Sequence, residues 1–308
     1  MSGTTRTTGM TGAAGAVDTA GAPLSAVPRR RFALPVGERL RPAGRNVSRV
    51  LVALLVLTTL VALLAPVLAP DNPIQPVGDL NLPPLSAHHL LGTDNLGRDL
   101  LSRTLIGLRA SWFSALAVVA VGLLAGGLLG VVAGAFGGWV DALLMRFTDL
   151  FLALPGALVA IAVNAALGPG LLHTLIGVSV VWWPYYARII RAEVRGLASR
   201  PHVEAARLAG AGRLRLIGRH ILPGVVPTAL VTASLDIGNV VVLLAGLSFL
   251  GLGQSAPAPE LGADVQNSLY LLLGQWWIPI IPALTVMLLS LIANLGGDAL
   301  RNLLEGDR

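Results

Sequence analysis

Few residues in this 308-residue chain are of types that make or break covalent bonds. There is no cysteine, so thiolate nucleophiles, disulfides and thiolate metal sites are excluded. All 22 basic residues are arginine. Without lysine the chain has neither the Gly-Lys-Ser/Thr of a phosphate-binding loop nor a Schiff-base nucleophile. HExxH, GxSxG and paired Ser/Lys arrangements are missing too. His88 and His89 are adjacent, and neighbours point apart on a helix or strand, so no metal site is expected. Gly251-x-Gly253-x-x-Ala256 has the spacing of a dinucleotide fingerprint, but Pro257 and Pro259 stand where a helix must begin. What remains is polar groups in apolar surroundings. Asp149, and Asp236 with Asn239, fall in hydrophobic runs where an ionisable side chain is expensive. The chemistry open to them is to face a translocation pathway or to pair inside a helical bundle.

The elements that hold such groups are membrane spans. Composition is 54% hydrophobic and 12% charged, which fits an integral membrane protein. The net charge of +6 sits beside apolar spans, so lipid attraction and orientation explain it better than nucleic acid does. Residues 1–49 read as a disordered, Arg-rich tail, with seven of its eight arginines (29, 30, 31, 39, 41, 45 and 49) gathered just before the first apolar run. Residues 50–70 are the first span, since about 20 residues cover roughly 30 Å of hydrocarbon. A signal peptide fits poorly, because the leading region is too long. Residues 71–109 form a loop of little net charge, with Leu100, Leu101, Leu105 and Leu108 on one side of an interfacial helix. Residues 110–308 hold five further spans, at 110–136, 142–167, 171–187, 225–246 and 277–295. In the second span Gly122, Gly126, Gly130 and Gly134 recur every four residues, a face that lets another helix come close. Arg146 and Asp149, three apart, are placed to pair. Trp182, Trp183, Tyr185 and Tyr186 form an aromatic belt at a headgroup layer.

The long polar interruption is 188–223, with eight arginines, two glutamates and no aspartate. Arginine-rich short loops stay cytoplasmic, which places both chain ends inside as well. Its grammar suggests two short helices with a break between them. Ser199 is a candidate cap with Pro201 in the first turn, and Gly210 and Gly212 offer left-handed stops. A second helical run over 213–221 ends at Leu222-Pro223-Gly224.

Glu204-Ala205-Ala206, Gly210 and Ile221-Leu222-Pro223 resemble the EAA coupling loop of ABC-importer permeases, with His220 where that family has an apolar residue. Two further stretches resemble the dipeptide/oligopeptide/nickel type, and its C-type subunit in particular. One runs through Gly92-Thr93-Asp94, Gly97-Arg98-Asp99, Ser102-Arg103, Gly107, Arg109 and Ser111. The other is 247–262, departing from the pattern at Leu244 and Leu261, where an acidic residue and a tryptophan are common. Asp149 followed by Pro155, and the ending from Gly296 to Arg301, match as well.

The resemblance covers about 50–308 and implies an all-α membrane protein with a six-helix, type I ABC-importer permease core. It implies a multi-pass subunit of a bacterial cytoplasmic membrane that forms half of a pathway for dipeptides or oligopeptides. Glu204, Ala205, Ala206, Gly210, Ile221, Leu222 and Pro223 would couple to the ATPase. The implied partners are a homologous second permease, two cytoplasmic ATPases, an extracytoplasmic substrate-binding protein and membrane lipid, with no nucleic acid. This chain would bind no cofactor, ATP and magnesium being held by the ATPases. Import of nickel or another small solute is the alternative within the family. An ion-driven secondary transporter is the rival outside it, and would favour inverted repeats and broken helices.

Overall fold

The computed structural model of the chain describes residues 44–86 and 88–306, all within one compact unit. The tail expected over 1–49 lies mostly outside the described residues. Its last residues do not: α1 is Arg45–Leu68, so Asn46 to Arg49 already belong to the first helix. An irregular stretch then leads to α2, Leu100–Phe136. Next come α3, Gly138–Leu152, α4, Gly156–Leu167, and α5, Leu171–Ala198. The short α6, Pro201–Leu208, and α7, Arg213–Leu216, precede α8, Leu222–Phe249. The chain ends with α9, Leu261–Ser268, and α10, Trp277–Gly306. No strand occurs among the described residues.

Three expectations about the spans need correction. There is no separate interfacial helix before the second span. Asp99 caps α2 by accepting from the Ser102 backbone N–H, and no proline interrupts the 37 residues that follow. The third span is not one helix either: α3 and α4 meet at 79° across Ala153, Leu154 and Pro155. Proline lacks the N–H needed to continue the first helix and suits the start of the second. The fourth span does not stop at residue 187, because α5 runs eleven residues further, to Ala198. Among the described residues, four helices are long and apolar enough to cross a membrane, or five if the bent pair counts as one. Helix α5 is not among them: its apolar half carries Trp182, Trp183, Pro184, Tyr185 and Tyr186, and its other half four charged residues.

The outer surface of the bundle is apolar. Val67 is 82% exposed and Leu124 74% exposed on their helices, an arrangement for lipid rather than water. Inside, α2 and α5 lie in close apposition along the glycine face. A Cβ on Gly126 would stand 2.1 Å from the Trp183 carbonyl oxygen, and one on Gly130 2.6 Å from that of Ala187. Gly122 and Gly134 meet Tyr186 and Val194 in the same row. No side chain larger than hydrogen leaves room for that approach. A central core joins Trp112, Val118, Tyr186, Val240, Val241 and Leu289. A second core, at the arginine-rich end, joins Ile190, Val194, Leu197, Val203, Leu216, Ile221 and Val225.

Candidate functional site

The second core explains how the polar stretch 188–223 is held. Helices α6 and α7 each turn one apolar face inward, burying Val203 and Leu216 against the extended end of α5, with Ala206 and Ala211 packed alongside. The opposite face is open: Glu204 and Ala205 are exposed, Leu208 is 85% exposed and Leu214 80%. Two exposed leucines beside a carboxylate, on a platform fixed from below, make a surface built to be covered. Sequence reading named Glu204 and Ala205 but missed the leucines, whose alternation with Val203 and Leu216 was the available signal.

The break between the helices is narrower than expected. Gly210 takes the left-handed conformation with φ +85°, and a Cβ there would meet nothing within 4 Å. The requirement for glycine is therefore conformational, not steric. Gly212 has an ordinary φ of −65° and is no left-handed stop. Ser199 ends α5, its hydroxyl donating to the Gly196 carbonyl at 3.0 Å, and does not cap α6. The second helical run does not end at Leu222-Pro223-Gly224. It passes through a π turn, Ile217–Ile221, straight into α8, and the Leu222 N–H donates to the Ile217 carbonyl five residues back. The wider turn accommodates a proline that cannot donate. Ile221 is buried in this turn, while Leu222 and Pro223 are exposed. Arg213 lies over the Phe136 ring at 6.0 Å, tying α7 to the end of α2.

Three arginines on α5 face carboxylates on α3. Arg191 and Arg195 both bond Asp141, which is buried, and Arg188 bonds Asp149 in an exposed pair. Asp149 thus pairs across helices and not with Arg146 on its own helix. The pair is solvent-accessible on both sides, and Asp149 does not line the cavity at Asp236. Asp141 escaped the sequence reading because its partners stand 50 and 54 residues away.

Asp236 sits in the middle of α8 and is buried. Its Oδ2 accepts from the Trp182 indole N–H and from the Tyr186 hydroxyl at 2.9 Å. The Asn239 amide approaches Oδ1 at 3.5 Å. Asp236 and Asn239 line a cavity of about 430 Å³ with Phe151, Leu154, Trp182 and Tyr185. The cavity lies against the break between α3 and α4. Interrupted helix at membrane depth is tolerated where it borders such a space.

At the other end of the bundle, the 92–103 motif forms a buried clamp. Asp94 accepts from the Leu96 and Arg98 backbone N–H groups and from Arg98 Nε at 2.7 Å. Arg103, only 3% exposed, bonds Asp264 at α9 and the carbonyls of Pro73 and Pro257, at 2.8 and 3.3 Å. Burial raises the carboxyl pKa of Asp264 even against the opposing pull of Arg103, and burial raises that of Glu260, which caps α9 by accepting from the Ala263 N–H. Leu261 is fully buried against Gly107 of α2, so its departure from the family pattern concerns packing of this lip; Leu244 likewise lies in the central core. His89 Nδ1 and Asp99 Oδ1 are 2.9 Å apart, and Asp99 Oδ2 accepts from Ser102 twice, at 2.7 Å each. Asp71, His89 and Asp99 bring potential ligand atoms within 4.8 Å of one another. Asp99 in this group is also the cap of α2 and the partner of His89.

Comparison with known proteins agrees with these features. The profile of the family described as "binding-protein-dependent transport system inner membrane component" matches residues 126–305. A probable D,D-dipeptide transport system permease protein of Escherichia coli is 39% identical over 252 residues, 82% of this chain and 85% of the relative. A di/tripeptide transport system permease protein of Pseudomonas aeruginosa is 42% identical over 79% of this chain and 82% of its own length. A glutathione transport system permease protein of Pectobacterium atrosepticum is 40% identical over 73% and 75% of the two chains. Among solved structures, the inward-facing MetNI methionine ABC transporter superposes with a TM-score of 0.52 at 18% identity, over 63% of this chain and 93% of that one. An amino acid ABC transporter gives the same score at 16% identity, over 67% and 94%.

Proposed function

Because the chain belongs to the family of binding-protein-dependent transport system inner membrane components, we propose that it forms half of an ATP-driven import pathway for dipeptides or oligopeptides. It is a membrane permease subunit and not an enzyme. Relatives named for dipeptide and di/tripeptide transport support the peptide substrate over nickel or another small solute. The observation that carries the coupling role is the helix pair α6–α7, fixed below by Val203 and Leu216 and open above at Glu204, Ala205, Leu208 and Leu214. That face meets a cytoplasmic ATPase, one of two, with a homologous second permease completing the pathway and an extracytoplasmic binding protein delivering substrate. ATP and magnesium bind in the ATPases. Nucleotide-driven motion of the pair passes through the π turn into α8, and rigid movement of the bundle switches access. Asp236 and Asn239 face the pathway in this reading, and Asp149 holds α3 to α5 beside it.

In this reading the helix pair and both chain ends are cytoplasmic, and the lip around α9 is outside. Single cysteines test this cleanly, since the chain has none of its own. Gly212 and Ser255 are both exposed, and a Cβ on Gly212 meets nothing. An impermeant thiol reagent added to intact cells is expected to label Ser255→Cys and to spare Gly212→Cys until the cells are broken. The reverse pattern would place the coupling surface on the wrong side for an ATPase.

A further inference from the structure

We propose that Asp236 is the receptor for the substrate's ammonium group within the pathway, so that the permease itself selects a cationic amine. The inference rests on the peptide-import reading above. Asp236 is a buried carboxylate whose hydrogen-bond partners among the described residues, Trp182, Tyr186 and Asn239, are neutral donors. Two of them crowd onto Oδ2. Among the described residues Oδ1 meets only the Asn239 amide, at the 3.5 Å limit of a hydrogen bond, and a carboxylate oxygen has room for two acceptor contacts. Neutral donors hold the side chain in place without cancelling its charge, and an uncompensated charge at this depth is expensive. A primary ammonium entering the cavity would supply both the missing charge and the missing donors, in a charge-assisted bond.

The surroundings fit that ligand. Phe151, Trp182 and Tyr185 line the same space, and aromatic faces attract a cation. A volume of about 430 Å³ falls in the range of small-molecule sites and suits a dipeptide-sized solute. The apolar wall at Leu154 and Val181 accepts side chains without demanding particular ones. Selection here would thus read the amine that peptides share and leave their side chains unread. The cavity also spans three elements, the break between α3 and α4, α5 and α8. An occupant therefore touches the helix that continues from the coupling pair.

The test uses the complete importer in proteoliposomes, with its binding protein and a free-amine dipeptide. Asp236→Asn keeps an oxygen for Trp182 and Tyr186 but removes the charge. The expected result is a fall in uptake of roughly tenfold or more, with assembly and binding-protein-stimulated ATP hydrolysis retained. Asp236→Glu, which restores the charge, should recover part of the uptake. Wild-type uptake by Asp236→Asn would overturn the inference, because a hydrogen-bond hub alone would then suffice. Loss of assembly or of stimulated ATP hydrolysis in Asp236→Asn would also overturn it, marking Asp236 as a fold determinant only. A wild-type assembly that hydrolyses ATP yet imports no dipeptide would refute the peptide reading itself, a result distinct from either.

Discussion

Replacing Gly210 by Val is expected to uncouple the importer while leaving the permease folded in the membrane. Gly210 stands at φ +85° in an open turn, so the added side chain collides with nothing and the penalty lies in the backbone. A left-handed L-residue costs about 1–2 kcal/mol, and a β-branched one resists it further. That is too little to unfold a bundle whose spans are untouched. It is enough to turn α6 out of register with α7 and so to disturb the surface on which Glu204, Leu208 and Leu214 are exposed. Normal abundance is expected, with transport and ATPase copurification both reduced roughly tenfold or more. Gly210→Asn, which tolerates the left-handed region, should retain most of both. Glu204→Ala should weaken copurification less severely if the carboxylate sits at the rim of the interface. A desolvated charged partner would instead cost about 2–5 kcal/mol. Should Gly210→Val transport normally and keep its ATPase, the helix pair is only a topology anchor.

The second large effect is expected at the opposite end. Arg103→Leu removes the one guanidinium that Asp264, Pro73 and Pro257 share, while Asp94 retains Arg98. Breaking a buried pair from one side costs about 3–5 kcal/mol, because the remaining carboxylate is left buried and unpaired. Folded-state thermal stability in detergent should fall sharply, and membrane abundance with it. Arg103→Lys should rescue poorly, since a point charge cannot reach three acceptors as a planar fork does. The double replacement Arg103→Leu with Asp264→Leu should recover much of the loss, because removing both charges removes the desolvation problem. A single variant that melts with the wild type would show that the clamp contributes nothing to the fold.

What was legible in the sequence was whatever repeats locally. The glycine spacing of 122, 126, 130 and 134 announces a close helix contact, and the Glu-Ala-Ala and Gly210 grammar announces a helix pair. Apolar length locates the first and fifth spans to within a few residues at both ends. What was hidden depends on partners far along the chain. Helix α5 continues past residue 187 because Arg191 and Arg195 find Asp141 on α3, and without that partner their charge reads as a loop. The bend at Pro155 divides one apolar run into two helices. Proline in an apolar run signals a break, but the cavity that makes the break tolerable is tertiary. The π turn at 217–221 has no sequence signature, and Pro223 reads as a helix end when it is a helix start.

The central claim is that this chain moves substrate by coupling to ATP bound elsewhere. The most direct measurement is uptake of a labelled dipeptide into proteoliposomes holding both permeases and the ATPases, with the binding protein outside. The account predicts uptake that requires ATP inside the cell-facing compartment, is indifferent to proton and sodium ionophores, and disappears when the ATPases are omitted, since this chain has no lysine with which to build a phosphate-binding loop. Uptake that persists without ATP and collapses with an ionophore would contradict it.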